Sequence, residues 1–234
     1  MKSVLMLSSI ILVCFYGEAY CQKDFPDWVP KEAVEAALSH WAYKIKIFEP
    51  EWLEHQYGFR DKEEASSIEL RYPFRIVKVD HENYKEGDDI LSHFNMSEGY
   101  YNNAFGFAVF YKGSRIGITK VCFINDRWEY FGGSSCGGEC DDVLKPIYSK
   151  YLLSEGYKIF RNYNESFYVI KDNTVLEAFE YSRRKRTFVG LNPVEHMLKE
   201  KKRIEEWKKS PEYKRILKLQ KEREREESKQ DQMK

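Results

Sequence analysis

Apolar residues recur at helical spacing from Val34 through Ala37, Leu38 and Trp41 to Ile45, just after Pro30, a residue suited to the start of a helix. The spacing predicts an amphipathic helix from Pro30 to about Ile47, interrupted by Pro50, with a shorter helical turn from Glu51 to Tyr57 before Gly58. From Ile68 to Val79 the period becomes two, the mark of a strand. Pro73 inside that run predicts an edge position or a bulge, because proline cannot donate to a β-ladder. Gly87 to Phe94 is expected to hold a short helix within a connection.

The densest β signal lies further on. Phe105 to Tyr111, Arg115 to Ile124 and Arg127 to Phe131 are rich in β-branched and aromatic residues, and Lys112-Gly113-Ser114 and Asn125-Asp126 separate them as turns. They predict an antiparallel meander. Gly132 to Asp142 reads as a polar, glycine-rich loop leading to a helix from Val143 to Leu153, with Gly156 at its end. Strand patterns resume in Tyr157 to Tyr163, Phe167 to Lys171 and Thr174 to Tyr181, with Asp172-Asn173 as a hairpin turn. The predicted class is α+β: an N-terminal helix packed on an antiparallel, aromatic-rich sheet built from meanders, followed by a C-terminal helical tail. In that arrangement Trp41 and Ile45 face Phe107, Val109, Ile118 and Val121. A helix followed by a meander resembles cystatin-like folds in architecture alone.

Beyond Arg183-Arg184-Lys185-Arg186 the composition shifts to Lys, Glu and Arg. Val194, Met197, Leu198, Ile204 and Trp207 suit one helix, and Ser210-Pro211-Glu212 starts another that carries Tyr213, Ile216, Leu217 and Leu219. After Gln220 nothing apolar remains except Met233, so a frayed end is expected. The predicted organisation is therefore an α+β domain over residues 22–182 and a basic helical tail over 183–234.

Charge sharpens that division. The chain is neutral overall, yet residues 1–182 carry 20 Lys and Arg against 28 Asp and Glu, whereas 183–234 carry 18 against 10. The body is thus at −8 and the tail at +8. Such asymmetry fits either an interaction arm for an anionic or protein partner, with the run Arg183, Arg184, Lys185 and Arg186 as its densest binding element, or a segment that docks on its own acidic body. Aromatic residues make up 16% of the chain, too many for a wholly disordered polymer despite a mean hydropathy of −0.66.

The N-terminus changes how the cysteines read. Lys2, an apolar run from Val4 to Tyr16, and small Gly17 and Ala19 resemble a secretory signal peptide over residues 1–21. The run is too short for a spanning helix of about 20 residues. Cleavage after Ala19 or after Cys21 releases a protein expected outside the cytoplasm, where disulfides persist. Cys136 and Cys140 flank Gly137-Gly138-Glu139 and are expected to pair, with Cys122 buried and free. Asn95-Met96-Ser97 and Asn164-Glu165-Ser166 fit N-glycosylation acceptors.

Three chemistries can be weighed. Gly133-Ser134-Ser135-Cys136-Gly137 matches the G-x-S-x-G pattern, which presents a nucleophilic serine on a strand-to-helix turn, and His196 is the only histidine downstream to act as its base. The surrounding hairpins are the wrong context for that elbow. Metal ligation could draw on Glu139, Asp141 and Asp142 beside the two cysteines, or on Asp89 and His93 four apart with His40 and His55, but no four-ligand set is visible and no metal is expected. Walker, dinucleotide and His-Glu-x-x-His motifs are absent, so no cofactor is expected. Nucleic acid is not an expected partner of a secreted chain. The sequence favours a secreted, non-enzymatic binding or interaction module, against an extracytoplasmic hydrolase built around Ser135.

Overall fold

A computed structural model describes residues 25–65, 67–95, 103–140, 144–162, 166–182 and 184–232, without the side chains of 64–65, 135–140 and 229–232. Helix α1 (Lys31–Ile47) begins behind Pro30 and buries Ala33, Val34, Ala37, Trp41 and Ile45, the stripe that the helical spacing marks out. Helix α2 (Pro50–Tyr57) starts with proline in its first turn and stops at Gly58, whose φ of 77° is the left-handed geometry that glycine adopts without a steric cost. A short α3 (Lys62–Ala65) precedes the sheet.

The strands are β1 (Glu69–Val79), β2 (Phe94–Asn95), β3 (Ala104–Tyr111), β4 (Ser114–Ile124), β5 (Arg127–Cys140), β6 (Lys158–Asn162), β7 (Phe167–Lys171), β8 (Thr174–Ser182) and β9 (Thr187–Leu191). Their order is β5-β4-β3-β1-β6-β7-β8-β9, with β2 paired to β1 off that path. Every pairing is antiparallel except β1 with β6, where the two expected meanders join into one sheet. The tight turns lie at Lys112-Gly113, Asn125-Asp126 and Asp172-Asn173, all with positive φ, as two-residue hairpins of the right twist require. The α+β class read from the sequence is the class observed.

Pro73 marks a bulge, not an edge. The register of β1 against β3 slips between Arg71 and Phe74, and Tyr72 takes a φ of 52°. Because the proline sits where the ladder is already broken, β1 occupies the centre of the sheet, and the Pro73 carbonyl accepts a hydrogen bond of 2.8 Å from the Tyr148 hydroxyl. Strand β3 is buried at every position, so its apolar run does not alternate.

Each face has its own core. Trp41 and Ile45 pack with Phe107, Val109 and Val121, as expected, together with Leu53, Tyr57, Phe59 and Leu70. Ile118 departs from the expectation: it packs against the opposite face with Cys122, Phe110 and Phe74. A register slip between Arg115 and Gly117 reverses the strand's alternation, so Ile116 takes the helix-facing position instead. Among the described residues Cys122 is a buried, unpaired thiol. Helix α4 (Lys145–Lys150) covers the opposite face with Leu144, Ile147 and Tyr148, and a 3-10 turn (Leu153–Glu155) ends at Gly156. The helix predicted over Val143 to Leu153 is thus split in two.

Gly132 to Ser135 do not form the expected loop. They continue β5, with Gly133 opposite Thr119 and Ser135 opposite Gly117, before three extra residues of β5 bulge out ahead of Cys140 opposite Arg115. Glycine serves close approach here: a Cβ on Gly133 would lie 2.5 Å from the Ile118 carbonyl oxygen. Gly133→Ala should therefore cost about 1–3 kcal/mol in urea unfolding, as overpacking against an immobile backbone atom does.

The tail also departs from its expected boundary. Arg184, Lys185 and Arg186 lie in the turn of the β8–β9 hairpin, and β9 pairs with β8 from Thr187 to Leu191, so the sheet extends beyond residue 182. Helix α5 (Pro193–Lys209) follows, capped by Asn192, whose side-chain oxygen accepts from the Val194 and Glu195 amides. It docks on the sheet: Pro193, His196, Met197 and Glu200 are buried. Met197 packs with Val77, Val79, Tyr84, Ile90, Phe94, Phe160 and Tyr168. Helix α6 (Pro211–Gln232) runs past the expected fray point at Gln220. Residues 221–227 are Lys, Glu and Arg, strong helix formers of largely alternating sign, and Lys218 approaches Glu222 one turn on at 3.9 Å.

Candidate functional site

A cleft of about 310 Å³ opens where α1 and α2 meet β4 and β5. Its walls are His40, Trp41 and Lys44 from α1, Phe48 from the link, Trp52, Gln56 and Tyr57 from α2, and Ile118, Thr119, Tyr130, Gly133 and Ser134 from the sheet. The helix period explains the placement. His40 and Lys44 are four apart and flank the buried stripe through Trp41 and Ile45, so both stand at the seam between helix and sheet.

Aromatic rings shape the interior. The His40 imidazole stacks on Tyr130 with centroids 3.4 Å apart, Phe48 stacks on Trp52 at 4.0 Å, and Tyr57 meets the edges of Trp41 and Trp52 at 4.9 and 5.6 Å. The Lys44 ammonium lies among them, 5.1 Å from the Trp41 ring and 5.7 Å from that of Tyr130, and donates a hydrogen bond of 3.3 Å to the Tyr57 hydroxyl. Burial lowers the Lys44 pKa below that of a free lysine. Burial and then the Lys44 charge lower His40 to about 4, so its ring is neutral at physiological pH. Burial raises the Tyr57 and Tyr130 phenols.

Three polar atoms of this lining have no hydrogen-bond partner among the described residues: His40 Nε2, Trp41 Nε1 and Thr119 Oγ1. Trp41 is 2% exposed and Thr119 1%, so bulk water does not cover those two side chains. Buried polar atoms left open are costly, and these three belong to residues of one cleft.

A second polar cluster holds α5 to the sheet. His81 Nε2 is 2.8 Å from the Tyr168 hydroxyl, that hydroxyl is 3.1 Å from His196 Nδ1, and Ser166 Oγ is 3.2 Å from His196 Nε2. A serine beside a histidine invites a catalytic reading, but Ser166 is 2% exposed and His196 fully buried, so no substrate reaches them. The cluster is an internal strut.

The expected site residues are dispersed. Arg184, Lys185 and Arg186 are exposed on the β8–β9 turn, and Arg183 lies outside the described residues. The backbone of Ser135 belongs to antiparallel β5, not to a strand-to-helix elbow, and both ring nitrogens of its supposed base His196 are engaged elsewhere. The side chains of Ser135, Cys136, Glu139 and Cys140, and all of Asp141 and Asp142, fall outside the described residues, so the Cys136–Cys140 pairing and the acidic ligands do too.

Asp89 caps a 3-10 turn (Ile90–His93) through the Leu91 amide, His93 pairs with Asp88 at 3.1 Å, and His55 lies beside Gln56. Of the histidines considered for metal only His40 reaches the cleft, and among the described residues no group of three His, Cys, Asp or Glu is placed to hold an ion. Among those residues no helix is long and apolar enough to cross a membrane. Sequence reasoning missed Lys44, Tyr57, Thr119 and Tyr130. The one available signal was Lys44 four residues after His40 on the edge of an apolar stripe. Comparison of the chain with protein-family models, with curated proteins and with solved structures finds no match, so function rests on the chemistry of the cleft itself.

Proposed function

We propose that the chain is a non-enzymatic binding module that works outside the cytoplasm and takes a small ligand in the cleft between α1, α2 and the sheet. The observation that carries this reading is the set of unpartnered polar atoms on His40, Trp41 and Thr119 within an aromatic cavity. The leader pattern of residues 1–21 supports the compartment. The exposed Arg184, Lys185 and Arg186 turn supplies a separate contact for an anionic surface or protein partner.

Ligand-observed NMR screening of a mixed fragment library tests the site. Hits on the wild type should compete with one another and should be lost in Trp52→Ala, a change at a rim residue 37% exposed, with the fold of the variant checked by circular dichroism. Hits that survive in the variant would remove the cleft from the proposal. Hydrolysis of ester or peptide substrates that disappears in Ser135→Ala would replace binding with catalysis.

A further inference from the structure

The lining of the cleft is unbalanced in charge and in hydrogen bonding. Among the described residues its lining holds no carboxylate, in a chain with 38 Asp and Glu, and the Lys44 ammonium is the one formal charge among them. Among the described residues Lys44 forms no ion pair. Its closest polar contact is the Tyr57 hydroxyl, and the faces of Trp41, Tyr57 and Tyr130 surround it within 5.8 Å. A half-buried ammonium beside aromatic faces is only partly compensated, so an incoming anion gains more there than beside a fully solvated surface lysine.

The unpartnered atoms point the same way. Trp41 Nε1 can only donate, the Thr119 hydroxyl can donate, and neutral His40 can present an N–H at Nε2. Trp41 Nε1 and the Lys44 ammonium can only donate, so a guest that satisfies them brings acceptors, to which Thr119 and His40 can donate as well. The remaining walls are flat: Phe48 lies parallel to Trp52 within 20°, and His40 to Tyr130 within 6°. Planar bodies pack on such surfaces with the least lost contact.

Resting on the reading of the cleft as a ligand site, we infer that its ligand is a small organic anion: a planar apolar body carrying a carboxylate that pairs with Lys44 and accepts from Trp41, Thr119 and His40. A cavity near 310 Å³ sits at the small end of ligand pockets, with room for a one- or two-ring acid.

Calorimetric titration of the full chain with three matched probes tests the class: 2-naphthoate, the neutral 2-naphthalenemethanol and the cationic 2-(aminomethyl)naphthalene. At pH 7 the carboxylate should bind at least tenfold more tightly than the alcohol, and the amine should give no heat of binding. Lys44→Met, with its fold checked by circular dichroism, should bind the carboxylate and the alcohol with the same affinity. Equal binding of carboxylate and alcohol to the wild type, or a preference that survives in Lys44→Met, overturns the anion class while the cleft remains a ligand site. If no probe binds, the anion class is also overturned, and the fragment screen then decides separately whether the cleft binds anything.

Discussion

A chain ended at Leu191 should fail to reach the native state, whereas one ended at Lys209 should unfold within about 1 kcal/mol of the full protein. The first truncation removes α5, and with it fully buried Met197 and His196. Phe160, Tyr168, Ile170, Val77 and Val79 lose their cover, and the Tyr168 hydroxyl and Ser166 lose His196. Emptying a buried methionine site alone costs about 2–5 kcal/mol, a large share of the roughly 5–15 kcal/mol available to a domain. Also lost are the bond from Lys201 Nζ to the Tyr84 carbonyl at 2.8 Å and the pairs Lys199–Glu180 and Lys208–Glu82. The second truncation removes only α6, whose described side chains are exposed apart from half-buried Tyr213 and Leu217. Urea unfolding with dye binding as a readout of exposed apolar surface separates the cases. A Leu191 product as stable as the full chain would mean that the C-terminal segment is a free arm after all.

The same segment shows where the sequence was legible and where it was not. Periodicity located α1 and most strands within a residue or two, because one-sided burial imposes a period of 3.6 or 2 and the turn residues punctuate it. It missed β9. Thr187 to Leu191 is only five residues long and follows four cations, so the composition of its neighbours outweighed its own β pattern. Pro73 was legible as a bulge but not as a bulge in a central strand, since strand order depends on β6 pairing far along the chain. Gly132 and Gly133 read as loop residues because glycine marks both turns and close backbone approach, and only the neighbouring Ile118 carbonyl distinguishes the two.

The candidate site was less legible than the fold. A cleft is formed by residues from two helices and two strands, and no spacing rule links Lys44 to Thr119 or Tyr130. The charge division was real as arithmetic and misleading as anatomy. Its +8 half includes a strand and a docked helix whose lysines bind Glu180, Glu82 and a backbone carbonyl of the acidic body. Cations on α5 thus serve partly as ties, which leaves Arg184 to Arg186 on their turn as the exposed cluster to test against a partner.

Acid should weaken the protein in a defined window, with His81 a principal contributor. Burial foremost, then the neighbouring His196, lowers its pKa from 6.5 to about 4, against partial opposition from Glu200 and Asp80. His196 is also lowered by burial and by Lys199, opposed by Glu200 and Glu180. The strut explains the direction. A chain of hydrogen bonds from His81 through Tyr168 and His196 to Ser166 is satisfied in either sense when both imidazoles are neutral, but protonating both leaves the Tyr168 hydroxyl proton without an acceptor. The unfolded chain takes up these protons below about 6.5 and the folded one resists until about 4, so stability is full above 6.5 and falls as the pH drops through the window. At about 1.4 kcal/mol per pH unit, His81 alone should cost about 2–3 kcal/mol by pH 4.5. Asp80 and Asp88, held below 3.8 by hydrogen bonds from Asn83 and the Lys85 amide, lose their contribution only at lower pH and do not enter. Urea unfolding of the wild type and of His81→Gln at pH 7 and 4.5 isolates the effect, because His40 and His196 titrate in both. The variant should lose about 2 kcal/mol less between the two pH values, and an equal loss in both proteins would show that His81 is not held neutral by the fold.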